Sequence, residues 1–515
     1  MRKYSFIILL GTVSLIGVCL VLLSTSKWGV ILEDDSAYYL LMAHLFENYS
    51  FNNDLLEIFL SNLQPLFPFV LSWGHFIGID LPEGARWFNS ILFGLNIILI
   101  GIVTKKYTSS AWLGLSAALL MLSAPDILKI HLTAMSEPLF IFFMLIWLLL
   151  LLDYLKNSKL SALIFASIIV ALAAMTRFAG IPVVATGLFG VLFLNKEKGF
   201  IHKFVHAVIF VSIPCLSLFL YGRYGYKEND AFQRHFVFHP VDFSYFRETA
   251  SVFCGWALAP HFLTSVNEKV LLFTIGMVFC FIRLFLWHRI NRIQVVDFKK
   301  TIFKNFFILG VTFICLYMVC LILAASFYDA AMLGSWSRYL IPIHVIGIII
   351  FCGLVSNFFK ESSSFKNDIG KIIIIYFFLL YTVLSTGCLR NQYFWGDKYS
   401  IDPHKSSYII HKVKTMPKDT LIYSNNFIPL YIWADKLSFF MPFIKNPLSL
   451  EKNDKYLDQL SQMIEQLRKR KGILVYFNEG PWGERKYVES IKDLQNKIPL
   501  HLIAQDEYAS IYDVQ

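Results

Sequence analysis

The sequence predicts a polytopic α-helical membrane protein with about eleven transmembrane helices and a small C-terminal α/β domain. Of its 515 residues, 56% are hydrophobic and only 16% are charged, whereas a soluble protein carries about 25% charged residues. Apolar runs long enough to cross a bilayer recur until near residue 390. Beyond that point, "DTLIYSNNFIPLYIWAD" and "KGILVYFNEGPWGE" resemble short strands, residues 451–472 between them have helical spacing, and "HLIAQDEYASIYDV" could be a last strand pair. This pattern predicts a water-soluble domain.

The apolar runs define the spans in order. The first run is too long for a signal-peptide core and has no clear small-residue cleavage site, which predicts a retained helix. "PLFPFVLSWGHFIGI" is apolar but short, so we expect it to dip into the interface, and "FNSILFGLNIILIGIV" is the better candidate to cross. The predicted spans are about 4–24, 87–104, 110–124, 136–153, 160–176, 179–194, 204–221, 269–288, 303–325, 339–358 and 371–388.

The distribution of charge predicts the orientation. The net charge is +10, but Lys and Arg lie mostly in alternate short loops, which favours a membrane protein over a nucleic-acid-binding one. By the positive-inside rule the N-terminus and these loops are cytoplasmic in a plasma (inner) membrane. The long acidic first loop (25–86) and the C-terminal domain are then extracytoplasmic. Residues 1–389 form the membrane module and 390–515 the outer domain.

The eight cysteines lie almost entirely within apolar runs, and none forms a C-x-x-C pair. This pattern argues against a disulfide framework or a zinc site and favours small packing residues.

An acidic motif, "EDDSAYY", follows the first span directly. Asp34, Asp35 or Ser36 would be the N-cap of a helix with one apolar face (Tyr38, Leu41, Met42, Leu45 and Tyr49), lying in the membrane interface with Ser36, His44 and Glu47 on its polar face. The motif has two interpretations: simple capping within an acidic loop, or a catalytic base at the water–lipid boundary. In the second, the neighbouring acid binds a metal, orients an acceptor or raises the pKa of the base by repulsion.

Other charged residues are predicted at the same membrane edge. Glu137 opens a span, where an ionisable residue is a functional candidate. Arg177 lies in the turn between two spans, and Arg338 and Tyr339 lie at the start of another. Arginine binds phosphate by bidentate hydrogen bonds. The alternative for each arginine is snorkelling or a local ion pair.

Together, the motifs "EDDSAYY", "SEPLF", "TRFAG" and "SRYLIP" give the chain a resemblance to the GT-C glycosyltransferase superfamily. The nearest branch is the protein O-mannosyltransferase and aminoarabinose-transferase type, and the resemblance covers the whole chain. It implies a GT-C fold and inverting transfer of a sugar from a polyprenyl-phosphate carrier, within the membrane lipid, to a glycan, lipid or protein acceptor on the extracytoplasmic face.

The resemblance also implies roles for individual residues. Asp34 would be the base and Asp35 its partner, although their adjacency leaves the order open. Arg177 and Arg338 would contact the carrier phosphate, and Glu137 would support the site or face the acceptor. Further candidate substrate contacts are Tyr38, Lys129, His131 and Tyr339. Some superfamily members use a divalent cation, for which Asp34, Asp35, Glu137 and His131 could be ligands, but no ligand spacing requires one.

The main alternative is a polytopic secondary transporter or flippase of a lipid-linked or polar substrate. Transporters place ionisable residues near the bilayer midplane, commonly in repeated halves. Here the charged residues are predicted at one edge and no repeat is visible, which favours the enzyme. A third alternative, a receptor or assembly protein, does not explain the clustered charge.

Overall fold

The computed structural model describes residues 3–47, 63–195, 199–225, 236–257, 298–328, 336–360, 364–396, 406–446, 450–478 and 487–514. The helices before residue 400 are α1 (Lys3–Ser24), α2 (Asp34–Glu47), α3 (Leu66–Ser72), α4 (Leu81–Thr108), α5 (Ala111–Ser123), α6 (Pro125–Leu132), α7 (Glu137–Asn157), α8 (Leu160–Thr176), α9 (Gly180–Phe189), α10 (Phe200–Gly225), α11 (Phe243–Ala257), α12 (Phe298–Phe327), α13 (Trp336–Tyr339), α14 (Ile341–Lys360) and α15 (Ser364–Trp395).

Within these ranges, six helices are long and apolar enough to cross a bilayer: α1, α4, α7, α10, α12 and α15. Helices α5 and α6 pass the same test together but are bent by 60°. The predicted number of eleven is not confirmed. Three predicted spans are shorter apolar helices (Leu160–Thr176, Gly180–Leu194 and Ile341–Ser356), and the predicted span 269–288 lies outside the described residues.

The ambiguous segment before α4 is helical but short. Helix α3 has 7 residues and is followed by the 3-10 turn Trp73–Ile77, so it cannot cross a bilayer at 1.5 Å per residue. Helix α4, with 28 residues, is the spanning element, as predicted.

Small residues and buried amides hold the first helices together. The Ser14 hydroxyl of α1 donates to the carbonyl of Gly94 in α4 at 2.9 Å. A Cβ on Gly94 would lie 2.7 Å from Val18, so glycine permits this close helix contact. On the same helix, the Asn89 and Asn96 side chains donate to the carbonyls of Thr133 and Pro138 at 2.6 and 3.0 Å. These bonds fix the start of α7 against α4.

The C-terminal part forms a mixed α/β domain. Its elements are α16 (Tyr408–Lys414), β1 (Ile422–Ser424), α17 (Ile428–Ala434), β2 (Phe439–Phe440), α18 (Tyr456–Arg470), β3 (Ile473–Phe477), α19 (Ile491–Lys497), β4 (Leu500–Gln505) and β5 (Ala509–Val514). The sheet has the order β2-β1-β3-β5-β4, with β1 parallel to β2 and β3, and β5 antiparallel to β3 and β4.

The central strand β3 is buried on both faces. Alternate side chains of a strand point to opposite faces, so Leu474 packs with α18, whereas Val475 packs with α16 and α17. The sheet is thus covered by helices on both sides. The predicted helix in 451–472 and the final strand pair are present. "FIPLYIWA", however, forms helix α17, and α15 continues beyond the boundary predicted at residue 389.

Asp506 connects the β4–β5 turn to the start of α16. Its carboxylate accepts from the Ser407 hydroxyl at 2.5 Å and from the amides of Ile409, Tyr508 and Ala509 at 2.9–3.1 Å. Burial raises the pKa of Asp506, but these hydrogen bonds outweigh it, so the pKa lies below its ordinary value. A depressed carboxyl pKa stabilises the fold above the unfolded-state pKa, and this contribution is lost as the pH falls through the folded-state pKa.

We therefore expect Asp506→Asn to lower the opening free energy of this domain by about 1 kcal/mol at neutral pH, since the group is partly exposed to solvent. The difference from wild type should shrink as the pH falls below 4, where the wild-type carboxylate becomes protonated, roughly at its ordinary pKa or lower. Hydrogen exchange of the β3 amides in the full chain measures this energy. The exposed Asp419→Asn serves as the matched control, and an equal effect of both substitutions would contradict the assigned role.

Helix α2 lies between the membrane helices and the C-terminal domain. Tyr38, Leu41 and Met42 pack against Phe427 and Ile428 of the domain. The opposite face, which includes Tyr39, Leu40 and Ala43, packs against α3 and α4. Ser36 is fully buried, so the prediction that it lies on a polar face of an interfacial helix is wrong. Ser36 lies one turn from Tyr39 and Leu40, on the side of the helix that packs against α3 and α4.

Candidate active site

The acidic motif sits at the first turn of α2. The helix begins at Asp34, so Asp34, Asp35 and Ser36 lie within it, and the prediction that one of them is the N-cap is wrong. Glu33 precedes the helix, and its backbone N–H donates to the Ser36 hydroxyl at 3.0 Å. Both aspartates therefore lie where unpaired backbone amides and the helix dipole stabilise a negative charge.

A short backbone pairing brings this motif to the start of α7. The Ile31 amide donates to the Leu132 carbonyl, and the Ala134 amide donates to the Ile31 carbonyl, each at 2.9 Å. Residues 31 and 133 thus form a parallel bridge. This bridge sets the acidic motif beside Ser136 and Glu137, which are about 100 positions away in the chain.

Glu137 is the buried centre of the charged site. Its side chain is 1% exposed, and its Oε1 lies 2.9 Å from Arg177 Nη1 and 3.1 Å from Arg338 Nε. These are charge contacts, because neither Glu137 oxygen nor Arg338 Nε has a partner with hydrogen-bond geometry among the described residues. One carboxylate therefore holds two guanidinium groups close together, which would otherwise repel each other.

Arg177 comes from the tight turn between α8 and α9. The Gly180 amide donates to the Arg177 carbonyl at 2.9 Å, and a Cβ on Gly180 would lie 2.4 Å from Ala174 Cα. Glycine in "TRFAG" thus allows the turn that projects the arginine. Arg177 Nη1 also donates to the Ser136 hydroxyl at 2.9 Å, and that hydroxyl bonds the Tyr39 hydroxyl at 2.9 Å.

Arg338 lies in the short helix α13 and contacts three carboxylates, whereas Arg177 contacts one. Its Nη2 donates to Asp35 Oδ2 at 2.5 Å, and its Nη1 lies 3.9 Å from Glu33 Oε2. Its Nε contacts Glu137, as described above. We call Glu33, Asp35, Glu137, Arg177 and Arg338 the acid–arginine cluster.

Neighbouring helices fix the position of α13. The indole of the buried Trp336 donates to the Thr249 hydroxyl of α11 at 2.6 Å. The Tyr317 hydroxyl of α12 donates to the Tyr339 carbonyl at 2.9 Å. The Tyr339 ring lies 5.2 Å from the Arg338 guanidinium and 5.8 Å from that of Arg177, within the range of a cation–π contact.

The electrostatics keep both guanidiniums charged. Burial lowers the pKa of Arg338, but Asp35 and Glu137 raise it well above its ordinary value. Burial likewise lowers the pKa of Arg177, but the nearby Glu137 carboxylate raises it above its ordinary value. Burial raises the pKa of Tyr39 to about 12, so this hydroxyl stays protonated at neutral pH.

Five of the predicted site residues thus meet: Asp35, Glu137, Arg177, Arg338 and Tyr339. Asp34 lies beside them in the same helical turn and is partly buried. Glu33, Tyr39 and Ser136 also reach the site but were not among the predicted residues. Their only sequence signal is that they stand within the motifs "EDDSAYY" and "SEPLF".

The other three predicted residues contact residues outside the acid–arginine cluster. The Tyr38 ring packs against Phe427 at 4.9 Å. His131 is fully buried, with Nδ1 2.6 Å from the Ile127 carbonyl and Nε2 3.2 Å from the Asn96 amide. Lys129 is exposed on α6, near Asp126.

The predicted metal ligands do not form a metal site. Across the described part of the chain, no three His, Cys, Asp or Glu side chains converge in a way that could hold an ion. Asp35 and Glu137 are instead paired with arginine, and His131 is in the core. This donor set does not fit a divalent cation.

A cavity of about 530 Å³ opens between α2, residues 78–82 and α17. Its polar lining comprises His44, Glu47, Asp80, Tyr431 and Asp435, and the rest is mainly apolar. Among the described residues its lining holds three carboxylates and no lysine or arginine, which favours a neutral or cationic occupant.

Comparison with known proteins places these features in a family context. Residues 64–221 match the sequence model of the family described as dolichyl-phosphate-mannose-protein mannosyltransferase. No curated protein sequence matches the chain significantly.

Among solved structures, ArnT from Cupriavidus metallidurans bound to undecaprenyl phosphate is similar with a TM-score of 0.57 and 11% identity, over 99% of this chain and 98% of that one. The Archaeoglobus fulgidus oligosaccharyltransferase tethered to an acceptor peptide with the NVT sequon has a TM-score of 0.51 and 12% identity, over 92% of this chain and 69% of that one.

At these identities the structural likeness concerns the fold, and the family match adds the sequence pattern. The chain is an integral membrane protein whose fold is similar to that of ArnT, and its residues 64–221 match the sequence model of the protein mannosyltransferases.

Proposed function

We propose that this protein is an inverting glycosyltransferase that moves a sugar from a polyprenyl-phosphate-linked donor to an acceptor on the extracytoplasmic face. The observation that carries the proposal is the acid–arginine cluster. Two arginines held by one buried glutamate lie beside two adjacent aspartates. Fold alone does not define an activity, so the site has to supply the argument.

The arginines suit the leaving group. When the bond between the anomeric carbon and the phosphate oxygen breaks, the polyprenyl phosphate takes the electron pair and gains negative charge. Arg177 and Arg338 can stabilise that charge by hydrogen bonds in a site where water is scarce, and such stabilisation is commonly the largest catalytic contribution. The isoprenoid chain stays in the lipid between the helices.

The aspartates suit the acceptor side. The acceptor oxygen attacks the anomeric carbon from the side opposite the phosphate, and a carboxylate takes the proton of the acceptor hydroxyl. This attack inverts the configuration at the anomeric carbon. We assign the base to Asp34, the first aspartate of the motif, and the partner role to Asp35, whose Oδ2 lies 2.5 Å from Arg338 Nη2. Glu137 positions both arginines and contacts no reacting atom in this scheme.

We assign the acceptor to the cavity beside α2. It adjoins the helix that carries Asp34, and carboxylates with a tyrosine can bind the hydroxyl groups of a glycan. Its three carboxylates disfavour a phosphorylated acceptor. The basic loops support a plasma (inner) membrane orientation with the N-terminus cytoplasmic and this site outside.

The proposal is tested by reconstituting the purified chain into liposomes with undecaprenyl-phosphate-linked sugars extracted from its native membranes. Mass spectrometry of lipids, glycans and proteins should show a new glycosylated product and free undecaprenyl phosphate. Movement of the lipid-linked sugar between leaflets without any product would favour the flippase instead. As a matched control we use Asp153→Asn, a half-exposed residue paired with Lys106 near the other end of α7.

A further inference from the structure

We infer that Asp35 occupies the phosphate-binding position on Arg338, and that the donor phosphate must displace it. Donor binding then releases Asp35 next to Asp34 and strengthens the base. The inference rests on the proposed function and adds an order of events to it: the carrier binds first, and the acceptor hydroxyl is activated afterwards.

The geometry of Arg338 supports a direct exchange. Its Nη2 donates to Asp35 Oδ2 at 2.5 Å, so a carboxylate oxygen holds the place where a phosphate oxygen would bind. Guanidinium groups bind carboxylate and phosphate with the same donors. The two anions therefore compete for one side of this arginine.

The two carboxylates that contact Arg338, Asp35 and Glu137, differ in how deeply they are buried. The Asp35 side chain is 37% exposed, whereas Glu137 is 1% exposed and contacts both arginines. Removing Glu137 from its pairs would leave an uncompensated buried charge, but Asp35 can leave into solvent. Glu137 is thus the permanent counter-ion and Asp35 the replaceable one.

Displacement has a consequence for Asp34. While Asp35 is paired, Arg338 offsets its charge. Once a phosphate takes its place, the charge of Asp35, one position along the chain, is no longer offset, and its repulsion raises the pKa of Asp34. A carboxylate with a higher pKa is a better proton acceptor, so the base becomes stronger only when the donor is in place.

The test measures binding of undecaprenyl phosphate to the full chain in nanodiscs. We expect Asp35→Asn to tighten binding about tenfold, within the usual range of coupling between two ligands of one site. Asp35→Glu keeps the competing carboxylate and should stay close to wild type. Asp35→Ser provides a second variant without a carboxylate, should the asparagine form fail to fold.

Glu33→Gln is the matched control. Glu33 carries the same charge as Asp35 but lies 3.9 Å from the Arg338 guanidinium, so the substitution leaves the hydrogen bond between Asp35 and Arg338 in place. If only the loss of one negative charge mattered, binding should tighten about twofold. In the transfer assay, Asp35→Asn should lower both KM for the donor and kcat, because the donor binds more easily while the base is no longer strengthened.

The outcomes are distinct. If wild type binds no undecaprenyl phosphate, the proposed function fails along with the exchange. If wild type binds it and Asp35→Asn tightens binding no more than Glu33→Gln does, the exchange is wrong and the proposed function stands. Weaker binding by Asp35→Asn would make Asp35 a support of the arginine and not its competitor.

Discussion

Replacing Asp34 with asparagine is expected to lower kcat for sugar transfer by about 10²–10⁴-fold, the usual contribution of a positioned general base. Asparagine has nearly the same shape but cannot accept the acceptor proton. The fold should tolerate the change, since losing a partly exposed negative charge in the first turn of a helix costs only about 0.3–1 kcal/mol. The measurement is the single-turnover rate with a saturating lipid-linked donor.

Two further variants make that result specific. Asp153→Asn should transfer at the wild-type rate, and undecaprenyl phosphate should bind Asp34→Asn with little loss. Undiminished transfer by Asp34→Asn would remove this residue from the base role. If Asp35→Asn alone then abolished transfer, the two aspartates would have their roles reversed.

Replacing Arg338 with glutamine should reduce kcat/KM for the donor by about 10²–10³-fold, comparable to the loss of one donor that stabilises a developing anion. Glutamine retains a hydrogen-bond donor but loses the charge that offsets Asp35, Glu137 and the leaving phosphate. Arg338→Lys should recover only part of the activity, because lysine cannot contact three carboxylates from fixed donor positions. Steady-state kinetics over a range of donor concentrations gives this ratio.

The exposed Arg247 on α11 provides the control Arg247→Gln, which should behave as wild type. Glu137→Gln provides a comparison of another kind. It leaves two buried arginines without their shared counter-ion, a change that costs about 3–5 kcal/mol of stability. A variant at Arg338 that folds and keeps full kcat/KM would contradict the phosphate role.

The candidate site was predictable as far as its residues lie in recognisable motifs. Glu137, Arg177 and Arg338 each stand next to a span boundary, and polar residues at such boundaries meet at one end of a helix bundle. Which atoms pair could not be predicted. The contact between Asp35 and Arg338 joins residues that are 303 positions apart, and it depends on how α11 and α12 hold the short helix α13.

The fold, too, was predictable from the sequence in some parts and not in others. Long apolar runs such as α4 and α7 follow from composition alone. The environment of α2 does not, because its periodicity fits a surface helix equally well, and only the packing of Phe427 and Ile428 against it shows that it is covered. Likewise, the sequence left His131 as a possible metal ligand or substrate contact. In the structure its two ring nitrogens face the Asn96 side chain and the Ile127 carbonyl.

The position of α2 has a mechanical consequence. Because α2, which carries the aspartates, packs against the C-terminal domain on one side and against α3 and α4 on the other, we expect a shift of that domain to tilt the carboxylates relative to the arginines. A chimaera that exchanges the C-terminal domain for that of a relative would have to preserve the contact between the Tyr38 and Phe427 rings. Without it, the aspartates would be misplaced relative to the arginines even with every charged residue present.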